Sequence, residues 1–179
     1  MIVSAHIAHK SADMTILGKV VGGGLPIGMF GGSEEIMSMV SPMGKVYQAG
    51  TFSGNPMSLT AGIATMKKMR TLGYEELERK GEQMRYGLTK VIEEIGLPFR
   101  AQGIGSMFQL FLTDRQVKDY AGARSCDTSA FRDLFTGLMN RGIYLPPSQF
   151  ETNFISTAHT DAEIDLTVEA YGECLEDAL

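Results

Sequence analysis

The chain has 179 residues, enough to bury a sizeable core, and its 44% hydrophobic and 21% charged content is the balance of a globular protein rather than a disordered one. A net charge of −5 without a Lys/Arg cluster argues against nucleic acid as a partner. No apolar run approaches the roughly 20 residues needed to cross a membrane, and the start, Met1-Ile2-Val3-Ser4-Ala5-His6, lacks a basic segment leading into a long apolar stretch. Cys126 and Cys174 are far apart and form no CxxC pair, so they read as free thiols in a reducing compartment, the cytoplasm. His6 and His9 lie close together, but no cysteine or carboxylate cluster joins them, and no metal site is expected.

Met14 to Val21 is loosely alternating and β-branched near its end, which predicts a short strand. Gly22 to Gly32, rich in glycine, predicts a tight turn and a second short strand. Ser33 reads as an N-cap, with Glu34 and Glu35 opening a helix near residues 36–40. After the Ser41-Pro42-Met43-Gly44 loop and an extended Val46 to Ala49, the polar loop Gly50-Thr51-Phe52-Ser53-Gly54-Asn55-Pro56 opens a helix. That helix, with Met57, Leu59, Ile63, Met66 and Met69, reads as largely buried and ends near Leu72-Gly73. Twelve methionines, including Met37, Met39, Met43, Met66 and Met69, read as flexible core filling.

Beyond Gly73 the character changes. Tyr74 to Gly96 is a charged amphipathic helix with an apolar stripe of Leu77, Met84, Leu88, Val91, Ile92 and Ile95. Phe99 to Gln102 and Ser106 to Leu112 predict strands around the Gly103-Ile104-Gly105 turn, and Asp114 to Asp127 a surface loop. Thr128 to Arg141 predicts a helix with Phe131, Leu134, Phe135 and Leu138 on one face. Short strands follow at Gly142 to Leu145 and Phe154 to Thr157, and Thr160 caps a last helix with Asp161 and Glu163 in its first turn. The expected organisation is therefore a glycine-rich part, 1–72, and an α+β unit, 73–179.

The chemistry concentrates in a few places. Lys19 lies in Thr15-Ile16-Leu17-Gly18-Lys19-Val20-Val21-Gly22-Gly23-Gly24. A lysine buried among such residues favours its uncharged, nucleophilic form, whose natural chemistry is a Schiff base with a carbonyl. The alternative is a strand-end lysine reaching solvent before a glycine turn. The glycines after it let another backbone or a flat ligand approach closely. Gly50 to Asn55 could cradle an anion through backbone N–H groups, the Thr51 and Ser53 hydroxyls and the following helix dipole, or it could be an ordinary capped helix start. Glu151 reads as a solvated loop carboxylate, and His159, which could be a catalytic base, as a helix-entry residue with a satisfied hydrogen bond. Tyr47, Gln48 and Tyr144 could line a pocket, with core packing the default for the tyrosines.

Taken together, these strings carry a resemblance. Asp13 to Gly28 resembles the active-site lysine segment of the class III pyridoxal-phosphate aminotransferases, and Val46 to Pro56 resembles their phosphate-contacting threonine loop. Gly142-Ile143-Tyr144-Leu145-Pro146-Pro147-Ser148-Gln149-Phe150-Glu151, with Phe154 to His159, is similar to the branch of that family that moves an amino group within a single substrate. The resemblance runs from about Ala12 to the C-terminus. It implies an α/β to α+β fold, the C-terminal part of a fold-type I pyridoxal-phosphate transferase: the end of the large domain plus the small C-terminal domain. It implies pyridoxal 5'-phosphate bound covalently by Lys19, which then moves protons between substrate carbons. It implies that Gly50 and Thr51 contact the cofactor phosphate across a homodimer, and that Glu151 stands near the substrate end of the pocket. The substrate would be a small amino-acid-derived molecule. The family's other phosphate loop, its ring-stacking aromatic and the aspartate on the pyridine nitrogen have no counterpart in this sequence. Asp13 matches the aspartate of the lysine segment, and Met1 to Ser11 match nothing there. Poor turnover by this chain alone and self-association through uncovered surface are therefore expected. Transfer to a second substrate, as in ω-aminotransferases, and a folded but non-catalytic remnant are the alternatives.

Overall fold

The computed structural model describes residues 12–177; the expectations for Met1 to Ser11, His6 and His9 among them, lie outside the described residues. The chain divides into two compact units, one ending at Leu72 and one beginning at Gly73.

The first unit opens with a hairpin. Strand β1 (Met14–Gly18) runs antiparallel to β2 (Gly28–Gly32), with Met14 opposite Gly32 and Gly18 opposite Gly28. The expected first strand is cut short at Gly18, because Lys19 takes a left-handed φ of 55° and turns the chain into a single 3-10 turn, Lys19–Gly22. Ser33 caps the short helix α1 (Glu34–Met37) by accepting from the Ile36 N–H. The chain leaves α1 earlier than expected because Val40 bridges Val46 instead, supported by Ser41 N–H to Val46 O at 2.8 Å.

Helix α2 (Pro56–Met69) starts at a strong signal. Pro56 has no N–H to leave unpaired, and Asn55 Oδ1 accepts from the N–H groups of Met57 and Ser58 at 3.0 and 3.2 Å. The helix is not the largely buried one expected. Only Ser58 and Gly62 are buried, while Met57 and Ile63 are 70% and 56% exposed. A narrow strip of small residues makes the helix's contact with the 3-10 turn, and its large apolar side chains point elsewhere. Met39, Met43 and Tyr47 are likewise exposed rather than core-filling.

The second unit has a continuous core. Helix α3 (Tyr74–Ile95) contributes Met84, Leu88 and Ile92, and ends where Gly96, at φ 80°, donates to the Ile92 carbonyl. Against it lies a three-stranded antiparallel sheet: β3 (Arg100–Ile104), β4 (Met107–Phe111) and β5 (Asn153–Phe154), in the order β3-β4-β5. Helix α4 (Tyr120–Arg124), capped by Asp119, is a short element inside the segment expected to be irregular. Helix α5 (Thr128–Asn140), capped by Asp127, buries Phe131, Leu134 and Leu138. Gly142 to Leu145 does not pair as a strand. Gly142 sits at φ 82° and the Ile143 N–H turns back to the Leu138 carbonyl, ending α5. Helix α6 (Asp161–Asp177) begins with the expected capping box, Thr160 and Glu163 bonding each other's backbone N–H.

The helices α3 and α6 pack along their length and are tied at one end. Arg79 bridges Glu76 and Asp161, Gln83 donates to Asp165, and Lys80 donates to the His159 carbonyl. Glycine makes one close approach possible: a Cβ on Gly81 would collide with the backbone carbonyl of Gly105, which also accepts from Arg85 at 2.6 Å.

Candidate active site

Lys19 is the point where the hairpin meets the 3-10 turn. It is the only non-glycine residue at positive φ among the described residues. A side chain in that region costs about 1–2 kcal/mol, so the conformation is held by its surroundings rather than preferred locally. What holds it is α2. The turn closes through Gly23 N–H to Val20 O at 3.1 Å, and Val21 is fully buried. Gly23 is at φ 59°, and a Cβ there would strike Thr65 Oγ1 and the Ala61 carbonyl. A Cβ on Gly62 would in turn stand 3.0 Å from the Val21 carbonyl. Of the two uses foreseen for these glycines, close approach of another backbone is realised here: the lysine turn is seated on α2.

The amine of Lys19 is exposed, and no salt bridge or hydrogen bond among the described residues engages it. The expectation of burial among Ile, Leu and Val is therefore corrected. Of that run's Ile, Leu and Val residues Val21 alone is buried, and Ile16 is 79% exposed, because among the described residues β1 pairs only with β2 and no further layer of the first unit covers it.

The Gly50 loop lies at the other end of the same support. Its turn closes with Ser53 N–H to Gly50 O at 2.9 Å, and a Cβ on Gly50 would be 2.8 Å from Ser53 Oγ. Thr51 is exposed, and its hydroxyl makes no hydrogen bond among the described residues. The first N–H groups of α2 are already used: Met57 and Ser58 by the Asn55 side chain, Leu59 by the Asn55 carbonyl. An anion here would thus be met by the Thr51 hydroxyl and the loop's own backbone rather than by free donors of the helix end. The lysine turn rests at Ala61 to Thr65 and the loop precedes Asn55, so about two to three turns of α2, roughly 9–15 Å of rise, separate the two attachment points.

Glu151 belongs to the second unit. It is exposed at the end of a turn closed by Glu151 N–H to Ser148 O at 3.0 Å, and no cation pairs with its carboxylate among the described residues. The turn is backed by a buried polar set that the sequence reading passed over. Gln109, Gln149 and Asn153 are each 7% exposed. Gln109 Nε2 donates to the Gln149 carbonyl at 3.1 Å, Asn153 Nδ2 donates to Gln109 Oε1 at 2.6 Å, and Gln149 Nε2 donates to the Ala123 carbonyl at 3.3 Å. The available signal was a glutamine in the middle of the apolar run Met107-Phe108-Gln109-Leu110-Phe111.

His159 is the helix-entry residue with a satisfied hydrogen bond that the sequence suggests: its Nδ1 accepts from Ser156 N–H at 2.9 Å. Tyr144 is 75% exposed, edge-on to Phe135, not a core tyrosine. Cys126 and Cys174 are free and buried, and burial pushes both thiols up. Among the described residues no group of His, Cys, Asp and Glu could hold a metal ion, and no helix is long and apolar enough to cross a membrane.

The lysine turn and the threonine loop, set on one supporting helix, are the two segments whose sequences resemble those of an amino-group-transferring enzyme class. The aminotransferase class-III family matches residues 3–173, and the chain belongs to that family. It is 47% identical over 165 residues to a glutamate-1-semialdehyde 2,1-aminomutase of Citrifermentans bemidjiense, covering 92% of this chain and 39% of that protein. The chain thus spans about two fifths of the length of the curated relatives it matches. Among solved structures, it is similar to a β-phenylalanine aminotransferase of Variovorax paradoxus (TM-score 0.87, 30% identity, 97% of this chain, 40% of that one). A transaminase with PLP bound is similar too (TM-score 0.82, 26% identity, 98% and 41%). The fold is accordingly that of part, about two fifths, of a fold-type I pyridoxal-phosphate transferase.

Proposed function

We propose that this chain is the lysine-bearing part of a glutamate-1-semialdehyde 2,1-aminomutase, which converts glutamate-1-semialdehyde to 5-aminolevulinate on pyridoxal 5'-phosphate, for tetrapyrrole synthesis in the cytoplasm. The observation that carries the reading is Lys19. An unpaired amine sits on the one left-handed non-glycine residue among those described, between a strand and a turn seated on α2. Strain maintained at one reactive side chain supports a functional role. The 45–49% identity to a series of curated aminomutases supports this reaction over transfer to a second substrate.

The residues present fit two ends of the cofactor: a free amine for its aldehyde, and a hydroxyl on a glycine turn for its phosphate. When bound, pyridoxal phosphate supplies an electron sink for the bonds around the substrate's amino carbons. Lys19 Nζ would hold the cofactor and then accept and return a proton at neighbouring substrate carbons. Thr51 Oγ1 would donate to a phosphate oxygen, beside the Gly50 backbone. The Glu151 carboxylate would attract and orient an amino group of the substrate. Pairing of two such chains would place the Thr51 loop against the partner's cofactor, and the exposed apolar side chains of the first unit support association.

The test is a visible spectrum on adding pyridoxal phosphate, followed by borohydride fixation and peptide mapping. A new cofactor band with the label on Lys19 is expected. Label scattered over surface lysines, or no band, would refute the reading and leave a non-catalytic folded chain. With label on Lys19, conversion of an added amino acceptor without aminomutase turnover would favour the transaminase reaction.

A further inference from the structure

We propose that Gln109 is the positioning residue for Glu151. The inference rests on the reading that Glu151 contacts the substrate, and it adds a residue to that site. Strand alternation puts Phe108 and Leu110 toward the core and Gln109 on the opposite face of the sheet. There its amide is buried, which is unfavourable unless both ends are bonded. Both are bonded, and to particular places. The donor end holds the carbonyl of Gln149, two residues before Glu151, and the acceptor end holds the side chain of Asn153, two residues after it. One amide therefore grips the turn symmetrically about Glu151.

The remaining contacts extend the grip. Asn153 is opposite Phe108 in the β4–β5 pair, and Ile155 N–H donates to the Ser106 carbonyl at 2.8 Å, so the outgoing chain is fixed to β4. On the incoming side Gln149 donates to the Ala123 carbonyl of α4, and Tyr120 of α4 packs on Phe150 at 5.5 Å between ring centroids. A purely structural core position would be better filled by leucine, which has no polar group to satisfy. Glutamine suits the position because it alone, at this length, offers a donor and an acceptor from one planar group. Held at both ends, the turn presents an exposed carboxylate from a backbone that does not have to be ordered when a ligand arrives.

The test uses the 179-residue chain with Gln109→Met, which keeps the volume and removes both bonds, and Asn153→Ala, which removes one. Hydrogen exchange is followed in peptides covering residues 148–153 and residues 84–92 of α3. Gln109→Met should speed exchange at 148–153 by about tenfold and leave 84–92 much less affected; Asn153→Ala should give a smaller local rise. After loading with pyridoxal phosphate, the apparent Kd for 5-aminolevulinate should rise about fivefold or more in Gln109→Met and in Glu151→Gln, with the cofactor's own Kd unchanged. Unchanged exchange at 148–153, or an equal rise in both peptides, would overturn the proposal. So would a local rise with normal 5-aminolevulinate affinity. Normal affinity in Glu151→Gln would overturn the Glu151 assignment and this proposal with it, while labelling of Lys19 would still stand for the cofactor reading. If no label reaches Lys19, the cofactor reading fails and exchange alone decides whether Gln109 grips the turn.

Discussion

Replacing Lys19 by glycine should make the chain more stable and at the same time abolish the pyridoxal-phosphate labelling proposed for it. The backbone at Lys19 has φ 55°. For a residue with a Cβ that conformation costs about 1–2 kcal/mol. Glycine removes the cost, but its greater freedom in the unfolded chain takes back about 0.5–1 kcal/mol. The net gain is about 0.5–1 kcal/mol. The side chain is exposed and unpaired, so its removal opens no cavity and strands no partner. For a chain of this size the gain corresponds to a rise in Tm of roughly 2–4 °C per kcal/mol.

The informative comparison is with Lys19→Ala. Alanine also removes the amine, but it keeps a Cβ in the left-handed conformation and should gain nothing from strain relief. Differential scanning calorimetry of the three proteins therefore has an expected order: Gly above Lys, and Ala near Lys. Both variants should lose borohydride labelling by pyridoxal phosphate. A glycine variant no more stable than the alanine variant would refute the reasoning, because the strain would then be absent. The link from strain to the role of Lys19 would fall with it.

Other outcomes follow from the same structure. Gly81→Ala drives a Cβ into the Gly105 carbonyl and should destabilise the second unit by about 1–3 kcal/mol, read as a shift of the urea midpoint; Gly96→Ala, with open space around it, meets only the strain of its φ of 80° and should cost about 1 kcal/mol. The Thr160 backbone N–H and hydroxyl hold the Glu163 carboxyl below its ordinary 4.5. A lowered carboxyl contributes stability that is present above its unfolded value and lost as pH falls through its folded one. Glu163→Gln should thus lower Tm at neutral pH, and the gap to the parent should close in acid; a gap unchanged down to about pH 3 would contradict this. Cys126 and Cys174 should react with a thiol reagent far more slowly in the native chain than in urea, since burial disfavours both thiolates. The exposed Met43, Tyr47, Phe52, Met57 and Ile63 should drive self-association, seen as a mass that rises with concentration in light scattering; a monomer at high concentration would count against it.

How much of this was legible in the sequence depends on what each residue needed to know about its surroundings. Caps are local, and Ser33, Asn55, Asp127 and Thr160 act within three residues of themselves. Of these, Ser33 and Thr160 were read directly. Amphipathic helices that find their partners within the same unit were also readable: the stripe of Met84, Leu88 and Ile92 on α3 is buried as its spacing required. Periodicity states which face favours burial, however, not what covers it. Helix α2 carries as many apolar residues as α3 needs for its core, yet its buried positions are Ser58 and Gly62. Its close contact is backbone against backbone, which only the glycines of the lysine turn hint at.

The candidate site divides along the same line. Lys19, Gly50 and Thr51 were found because their strings resemble known ones, yet neither the left-handed turn at Lys19 nor the use of the α2 donors by Asn55 follows from composition. Gln109 was legible in another way. A polar residue in the middle of a strand of Met, Phe, Leu and Phe conflicts with the pattern around it, and such a conflict persists when the polar group has a specific task. The two bonds that satisfy it reach residues 40 and 44 positions away, to either side of Glu151. The strand pattern thus identifies a residue that must be bonded, and the fold shows that those bonds secure the turn carrying the free carboxylate.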